Sequence, residues 1–216
     1  VVFWDRETGE PLSPAIVWQD RRTAERCAAL KGAGREPFVQ ARTGLLLDPY
    51  FSATKIAWGA DNWPEVRRAA DKDRLAAGTV DAYLRYRLSR GETFETDATN
   101  AARTLLMDLA GLHWSDDLCD LFDVSRSWIP FIGKNAGHLG DCVVIGGRTI
   151  PMTGAAGDQQ AAAIGQACFS PGAVKSTYGT GAFLIANAGA EPPSSEHRLL
   201  ATLGWDVPGE SVYALE

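Results

Sequence analysis

A change in pattern near Cys142 is the sequence feature that most constrains the fold. Before it, helix-capping residues, helix-ending glycines and mixed-charge faces predict a largely helical part, which opens with a hairpin over 1–18. After it, short apolar runs separated by Gly and Pro predict strands with one Ala-rich helix among them. The predicted helices are 19–31, 52–60, 65–77, 80–89, 115–122 and 158–167, and the later strands are 142–145, 149–152, 173–177, 182–188, 199–203 and 212–215. The chain is therefore predicted to be a mixed α/β protein.

The order of these elements also predicts where one domain ends. The seam falls just after the Ala-rich helix, so that 1–168 form one unit and 169–216 begin a second. Both ends of the chain, 1–4 and 211–216, read as strand-like runs, whereas natural termini are more often polar and loosely held. We expect the chain to be an internal piece of a longer protein.

The charge of the chain disfavours several classes of partner. It carries 27 Asp and Glu against 21 Lys and Arg, a net charge of −6, and so lacks a basic footprint for nucleic acid or an anionic membrane. No apolar run approaches the roughly 18 residues that a membrane span needs. The four cysteines and three histidines are scattered without CxxC or metal-ligand spacing. Reduced cysteines, and no signal-peptide pattern at the first residues, predict a cytoplasmic location.

Asp158 is the most informative single residue. It follows the tight loop Gly154-Ala-Ala-Gly157 and begins the Ala-rich helix, where backbone amides and the helix dipole favour the ionised carboxylate. Small loop residues permit close approach of a ligand, which suits a general base that takes a proton from a hydroxyl group. Asp is also a preferred capping residue, so a purely structural role is the alternative.

The run Tyr178-Gly-Thr-Gly181 is a second candidate site. Its glycines, between two predicted strands, allow backbone N–H groups and the Thr180 hydroxyl to point at phosphate oxygens. The run matches neither a Walker A loop nor a dinucleotide-binding fingerprint, and an ordinary hairpin turn is the alternative.

Three aromatic residues, Trp18, Tyr50 and Phe183, each stand beside polar or turn residues. They are candidates for the wall of a small pocket, in which Gln159 would supply an amide; ordinary core packing is the alternative for each ring. Taken together, the candidates favour a small hydroxylated ligand near a carboxylate and a phosphate-binding turn.

Several segments, in this order, resemble the FGGY family of carbohydrate kinases, and within it the kinases that phosphorylate glycerol. The resemblance runs from end to end. The segments are Ala15-Ile-Val-Trp-Gln-Asp-Arg-Arg-Thr23, Thr43-Gly44, Asp48-Pro-Tyr-Phe-Ser-Ala-Thr-Lys-Ile56, Gly78-Thr-Val-Asp81, Thr96-Asp-Ala-Thr-Asn-Ala-Ala-Arg-Thr104, Gly157-Asp-Gln-Gln-Ala161 and Ser176-Thr-Tyr-Gly-Thr-Gly181 with Phe183. Gly59 stands where the family usually has an apolar residue, which we interpret as a neutral change.

The resemblance implies a fold and an activity. The fold would be the actin-like (RNase H-like) ATPase fold, here a partial first domain plus the start of the second, and the reaction would transfer the γ-phosphoryl group of ATP, with Mg²⁺, to glycerol or a similar small polyol. Asp158 would be the general base, Trp18, Tyr50, Gln159 and Phe183 would contact the polyol, and Thr180 and Gly181 would approach the nucleotide. The Mg²⁺ ligands remain unassigned, and a homo-oligomeric full-length protein is expected.

Alternatives and gaps accompany this prediction. The alternatives are another sugar kinase of the family, acting on a pentulose, erythritol or gluconate, and a non-catalytic paralogue that serves as a binding module. In the family, the Asp-x-Gly-Thr phosphate loop would precede these residues, and most of the adenosine pocket would follow them. We therefore expect the 216 residues alone not to turn over substrate.

Overall fold

The computed structural model describes residues 1–179 and 181–216. The first part of the chain consists of helices joined by short strands. In chain order its elements are β1 (Val2–Asp5), α1 (Ala24–Gly32), α2 (Glu36–Thr43), α3 (Ala53–Asn62), α4 (Pro64–Asp71), β2 (Leu75–Gly78), α5 (Val80–Leu88), β3 (Glu95–Asp97), α6 (Ala98–Ala101), β4 (Met107–Asp108), β5 (His113–Trp114), α7 (Asp116–Phe122), a 3₁₀ turn (Arg126–Trp128) and β6 (Phe131–Gly133).

The later part of the chain is dominated by strands, as predicted. Its elements are β7 (Asp141–Cys142), β8 (Ile150–Pro151), α8 (Asp158–Gly165), β9 (Val174–Tyr178), β10 (Ala182–Gly189), β11 (Ala201–Val207) and β12 (Glu210–Leu215). The last four strands form an antiparallel sheet in the order β11-β12-β10-β9. Strands β3 and β6 pair in parallel. The mixed α/β prediction is confirmed.

The predicted hairpin over 1–18 is confirmed only in part: the Leu12 and Ile16 N–H groups donate to the Phe3 and Val1 carbonyls, each at 2.9 Å, so the chain folds back along β1, but it forms no second strand there. Strand β1 pairs instead with β2, antiparallel and about seventy residues later, with Val2 opposite Gly78. All four residues of β1 are buried, so the strand needs a partner inside the core. Within the segment that folds back, Pro11 and Pro14 have no backbone N–H to donate, so its contact with β1 consists of separate hydrogen bonds and one bridge, from Trp4 to Pro11.

The predicted helix over 65–77 is too long. Helix α4 ends at Asp71, and Asp73 follows in the left-handed region with φ of 53°. Beyond it, Leu75–Gly78 is fully buried as β2. Tertiary pairing with β1 therefore overrides the local helical composition. Helix α2 is absent from the sequence prediction, although Pro at its start and the left-handed Gly44 at its end are ordinary helix signals.

The main core joins the two parts of the chain. Ala201, Leu203 and Tyr213 from the sheet are buried in the same apolar cluster as residues of α3 and β2. At Gly44 the two parts touch through main chain: its carbonyl accepts from the Ala201 N–H at 2.9 Å, and a Cβ on Gly44 would lie 2.4 Å from the Ala201 oxygen. The domain boundary at 168/169 stays a prediction.

Gly59 has a packing role, which corrects its interpretation as a neutral change. A Cβ atom on Gly59 would lie 2.4 Å from Cζ of Phe3, closer than real Cβ contacts come. Helix α3 therefore packs its glycine directly against the buried ring from β1. The four cysteines, Cys27, Cys119, Cys142 and Cys168, are buried free thiols. Among the described residues, no helix combines the length and apolar character required to cross a membrane.

Candidate active site

A cleft of about 600 Å³ lies where the helical part meets the sheet. Its lining includes Trp18, Tyr50, Asp158, Gln159, Gly181 and Phe183, the predicted site residues. Thr180, the remaining predicted site residue, lies outside the described residues. The structure thus brings together side chains that the sequence distributes over most of its length, while their individual roles stay predictions.

Trp18, Tyr50 and Phe183 form one side of the cleft, which we call the aromatic wall. The centre of the Trp18 ring lies 5.4 Å from that of Tyr50 and 6.4 Å from that of Phe183, the second pair meeting edge to face. Trp18 is 45% exposed, whereas the other two rings are half-buried. A core tryptophan would be covered, so the open ring favours ligand contact over ordinary packing.

Asp158 and Gln159 form the opposite side, which we call the polar wall. Asp158 is the exposed first residue of α8, where the helix dipole stabilises a carboxylate. Gln159 Nε2 donates to Asp158 Oδ2 at 2.9 Å, while its Oε1 accepts from the Nζ of Lys175. Because an ammonium group only donates, the buried Lys175 fixes the Gln159 amide with its NH₂ toward Asp158.

Buried hydrogen bonds hold the loop that leads into Asp158. Thr99 Oγ1 accepts from the Gly157 N–H at 2.9 Å, and Asn135 Nδ2 donates to the Ala155 carbonyl at 2.8 Å. Both side chains also donate to the fully buried carboxylate of Asp97. The base of the polar wall is therefore a network centred on one buried charge, with its donors paired.

A second carboxylate, Asp81, lies behind Asp97. Its Oδ2 accepts from Thr96 Oγ1 at 2.8 Å and from the Asp97 N–H at 3.2 Å. Burial, followed by the negative charge of Asp97, raises the pKa of Asp81 to about 6. The fold thus displaces the titration of Asp81 toward neutral pH.

Several cationic residues at the site were missed by sequence reasoning. Lys55 is buried beneath the aromatic wall, Lys175 supports Gln159, and Arg103 lies 5.6 Å from the Tyr50 ring and pairs with Glu216 at 2.7 Å. For Lys55 a signal existed, since a lysine interrupts a helix whose neighbouring positions are small or apolar. A charge at such a position needs hydrogen-bond partners inside the fold.

The Gly-containing turn lies at the same cleft. Strands β9 and β10 pair with Tyr178 opposite Ala182, and the Gly179 N–H donates to the Gly181 carbonyl at 2.9 Å. Both glycines line the cleft and bring no side chain of their own to it. A Cβ on Gly181 would come within 2.8 Å of the Phe183 ring, which links this turn to the aromatic wall. Such a turn fits phosphate oxygens.

Metal ligands are not evident in the part of the chain that the structure describes. There, no three His, Cys, Asp or Glu side chains gather as a metal-holding group. We therefore assign no residue of these ranges to Mg²⁺.

Comparison with known proteins decides the family. The model of the FGGY family of carbohydrate kinases, N-terminal domain, matches residues 1–165. The chain belongs to the FGGY family of carbohydrate kinases. Within this family it is similar over its whole length to glycerol kinases from Methylobacterium nodulans, at 55% identity, and Alcanivorax borkumensis, at 53%. The chain spans 43% of the length of each of these curated relatives.

Solved structures of the FGGY family give the same result. The glycerol kinase of Plasmodium falciparum, solved with ADP, superimposes with a TM-score of 0.93 at 38% identity, over 99% of this chain and 43% of that one. The xylulose kinase of Rhodospirillum rubrum superimposes with a TM-score of 0.81 at 25% identity, over the same shares of the two chains. The partial actin-like kinase fold expected from the sequence is confirmed.

Proposed function

We propose that the protein containing this chain transfers the γ-phosphoryl group of ATP to glycerol, and that Asp158 is the general base. The observation that carries this proposal is the position of Asp158 in one cleft with the aromatic wall and the glycine turn. A carboxylate at a helix N-terminus, in one cleft with apolar rings and a glycine turn, suits a small polyol next to phosphate groups.

Each group of residues in the cleft has a separate role in the proposed reaction. The rings of the aromatic wall would pack on the carbon backbone of the polyol, and Gln159 would bond a hydroxyl group. Asp158 would accept the proton of the attacking hydroxyl while the oxygen of that hydroxyl bonds to the γ-phosphorus and the bond from this phosphorus to the ADP oxygen breaks, releasing ADP. Bound ATP supplies the phosphoryl group, and Mg²⁺ neutralises its charge. Little covalent chemistry is left to the protein, so its part is positioning and electrostatics.

The choice of glycerol is supported by the relatives. The two bacterial glycerol kinases share more than half of the residues of this chain and the Plasmodium falciparum glycerol kinase shares 38%, against 25% for the xylulose kinase neighbour. The aromatic wall also leaves a compact apolar surface that matches a three-carbon polyol. The cytoplasmic location, the use of Mg²⁺ and the homo-oligomeric state stay predictions.

The test uses the full-length protein and a matched pair of variants. ADP release is measured with glycerol, erythritol, gluconate and a panel of pentuloses, for wild type, Asp158→Asn and Asp116→Asn. Asp116 is the control because it also begins a helix, α7, yet lies outside the cleft. We expect preference for glycerol, and a fall in kcat of about 10²–10⁴-fold in Asp158→Asn alone.

The other outcomes each contradict part of the proposal. Activity on a larger sugar would retain the family reaction and remove glycerol. Equal losses in both variants would mean that Asp158 matters only as a charge at a helix start. A wild-type protein inactive on every substrate would favour the binding module.

A further inference from the structure

Lys55 is a buried charge directly beneath the aromatic wall. It lies in α3, and 1% of its surface is exposed. Removing an ammonium group from water is costly unless each of its N–H groups finds an acceptor. A lysine at this depth therefore has an identifiable set of partners.

Those partners are main-chain carbonyls of the wall itself. Lys55 Nζ lies 2.8 Å from the Val17 oxygen, 3.2 Å from the Trp18 oxygen and 3.4 Å from the Tyr50 oxygen. An ammonium group has three N–H donors, which matches these three acceptors in number. One cation therefore ties the backbones of two aromatic residues that lie in separate segments of the chain.

Local structure does little to fix the first of these segments. Residues 12–22 form no helix or strand. Backbone hydrogen bonds tie Leu12 and Ile16 to β1 and to the residue before it, and Trp18 lies beyond the last of these bonds. Beyond the ring, Asp20 accepts two hydrogen bonds from the Arg22 guanidinium, which stacks over Trp58. The contact between Asp20 and Arg22 fixes the end of the segment, whereas Lys55 binds the carbonyl oxygen of Trp18 itself.

Burial and the nearby carboxylates act on the Lys55 charge in opposite directions. Burial lowers the pKa of Lys55, and the carboxylates of Asp20 and Asp48 act in the opposite direction. Three carbonyl oxygens that converge on one point repel one another without a cation between them. If the charge were removed, the two segments would separate or admit water, and the rings that they carry would move apart.

We propose that Lys55 is a positioning residue that sets the separation of the Trp18 and Tyr50 rings, and through it the length of polyol that the cleft accepts. The inference rests on the proposed function, since it assumes that these rings contact the polyol. Lys55 acts through the main chain and does not itself touch the reacting atoms. Asp158 and Gln159 make no hydrogen bond with Lys55 among the described residues, so the effect falls on recognition rather than on proton transfer.

The test compares Lys55→Met with wild type in the full-length protein. Methionine preserves the unbranched shape and volume but removes the donors. We expect KM for glycerol to rise about tenfold or more, kcat to stay within about threefold, and the preference in kcat/KM for glycerol over erythritol to fall about tenfold. A wild-type KM and an unchanged glycerol-to-erythritol ratio would overturn the inference.

Two further variants separate positioning from stability. Val66→Ala removes buried volume in α4, away from the cleft, and should lower the melting temperature without moving the substrate ratio. If Lys55→Met does not fold, Lys55→Gln, which retains two donors, is measured instead and should relax the ratio in the same direction. An unchanged ratio in that variant also overturns the inference.

The proposed function and this inference fail in different ways. A wild-type protein without glycerol kinase activity contradicts the function before any variant is made. An active wild type whose Lys55 variants keep the substrate ratio contradicts the inference alone.

Discussion

The two walls of the cleft are held in place by different means. Two residues of the aromatic wall, Trp18 and Tyr50, lie in segments without regular structure, and the buried cation Lys55 binds carbonyls of both segments; the third, Phe183, lies in β10. The polar wall begins a helix, and its entry loop is held by a network that spreads from Asp97 through Thr99 and Asn135.

This difference predicts that mutations beneath the two walls will affect different properties of the protein. If the Lys55 ammonium group is removed, its three carbonyl acceptors lose their hydrogen-bond donor at the same time. A distributed network contributes more to the stability of the fold, because its groups also cap a helix and join separate elements. We therefore expect changes beneath the aromatic wall to alter substrate preference, and changes beneath the polar wall to alter stability and turnover.

The largest effect is expected at Asp97, the centre of the polar network. Asp97→Ala leaves backbone and side-chain donors without an acceptor, and we expect the free energy of unfolding to fall by about 3–5 kcal/mol, since each bond to a charged group contributes about 1.5–3 kcal/mol and these are not additive. Ser115→Ala is the control, because Ser115 also caps a helix but serves no wider network, and should cost about 1 kcal/mol. If denaturant titrations give the same loss in the free energy of unfolding for both variants, Asp97 contributes no more than an ordinary helix cap.

A smaller, pH-dependent effect is expected at Asp81. Its pKa is raised to about 6 from 3.8, so the folded state binds the proton more tightly than the unfolded state. The free energy of unfolding should therefore fall as the pH rises from about 4 to about 6, by at most about 3 kcal/mol, and stay level above that range.

Asp81→Asn should remove this slope, because the amide does not titrate. Urea titrations of wild type and variant at pH 4.5, 5.5 and 6.5 measure the difference directly. Parallel curves for the two proteins would show that Asp81 does not carry the proton.

The smallest effect is expected at Gly59, which lies one helical turn beyond Lys55 on α3. Gly59→Ala forces a methyl group against the Phe3 ring. This overpacking lowers the free energy of unfolding by about 1–3 kcal/mol, whereas the higher helix propensity of alanine raises it by roughly 0.5–1 kcal/mol. We expect a net loss near 1 kcal/mol, together with a modest rise in KM for glycerol as α3 shifts. Gly165→Ala, in α8 with open space at its Cβ, should instead stabilise slightly. A neutral Gly59→Ala in thermal unfolding would restore the interpretation of Gly59 as a neutral change.

Parts of the fold and of the site were predictable from the sequence. Helices α3, α5, α7 and α8 lie within about two residues of their predicted bounds, although of these four only α7 has a side-chain cap, from Ser115. The hairpin of β9 and β10 follows from its glycines. Matching motifs also pointed to Asp158 and the aromatic residues before any geometry was known. Prediction failed at the strand partner of β1, which lies beyond four helices, because a strand with both faces buried carries no information about which distant segment will pair with it.

The sequence by itself determined the local pieces: where most helices begin and end, which family the motifs match, and which residues are candidates for chemistry. Only the tertiary structure decided that β1 pairs with β2 and that the Phe3 ring packs directly against Gly59. It also decided that Lys55 donates to the carbonyl oxygens of Trp18 and Tyr50. The physical reason is the separation along the chain over which each interaction acts. Caps, turns and propensities act between near neighbours in the chain, whereas burial, close packing and the satisfaction of a buried charge depend on which distant residues the fold brings together.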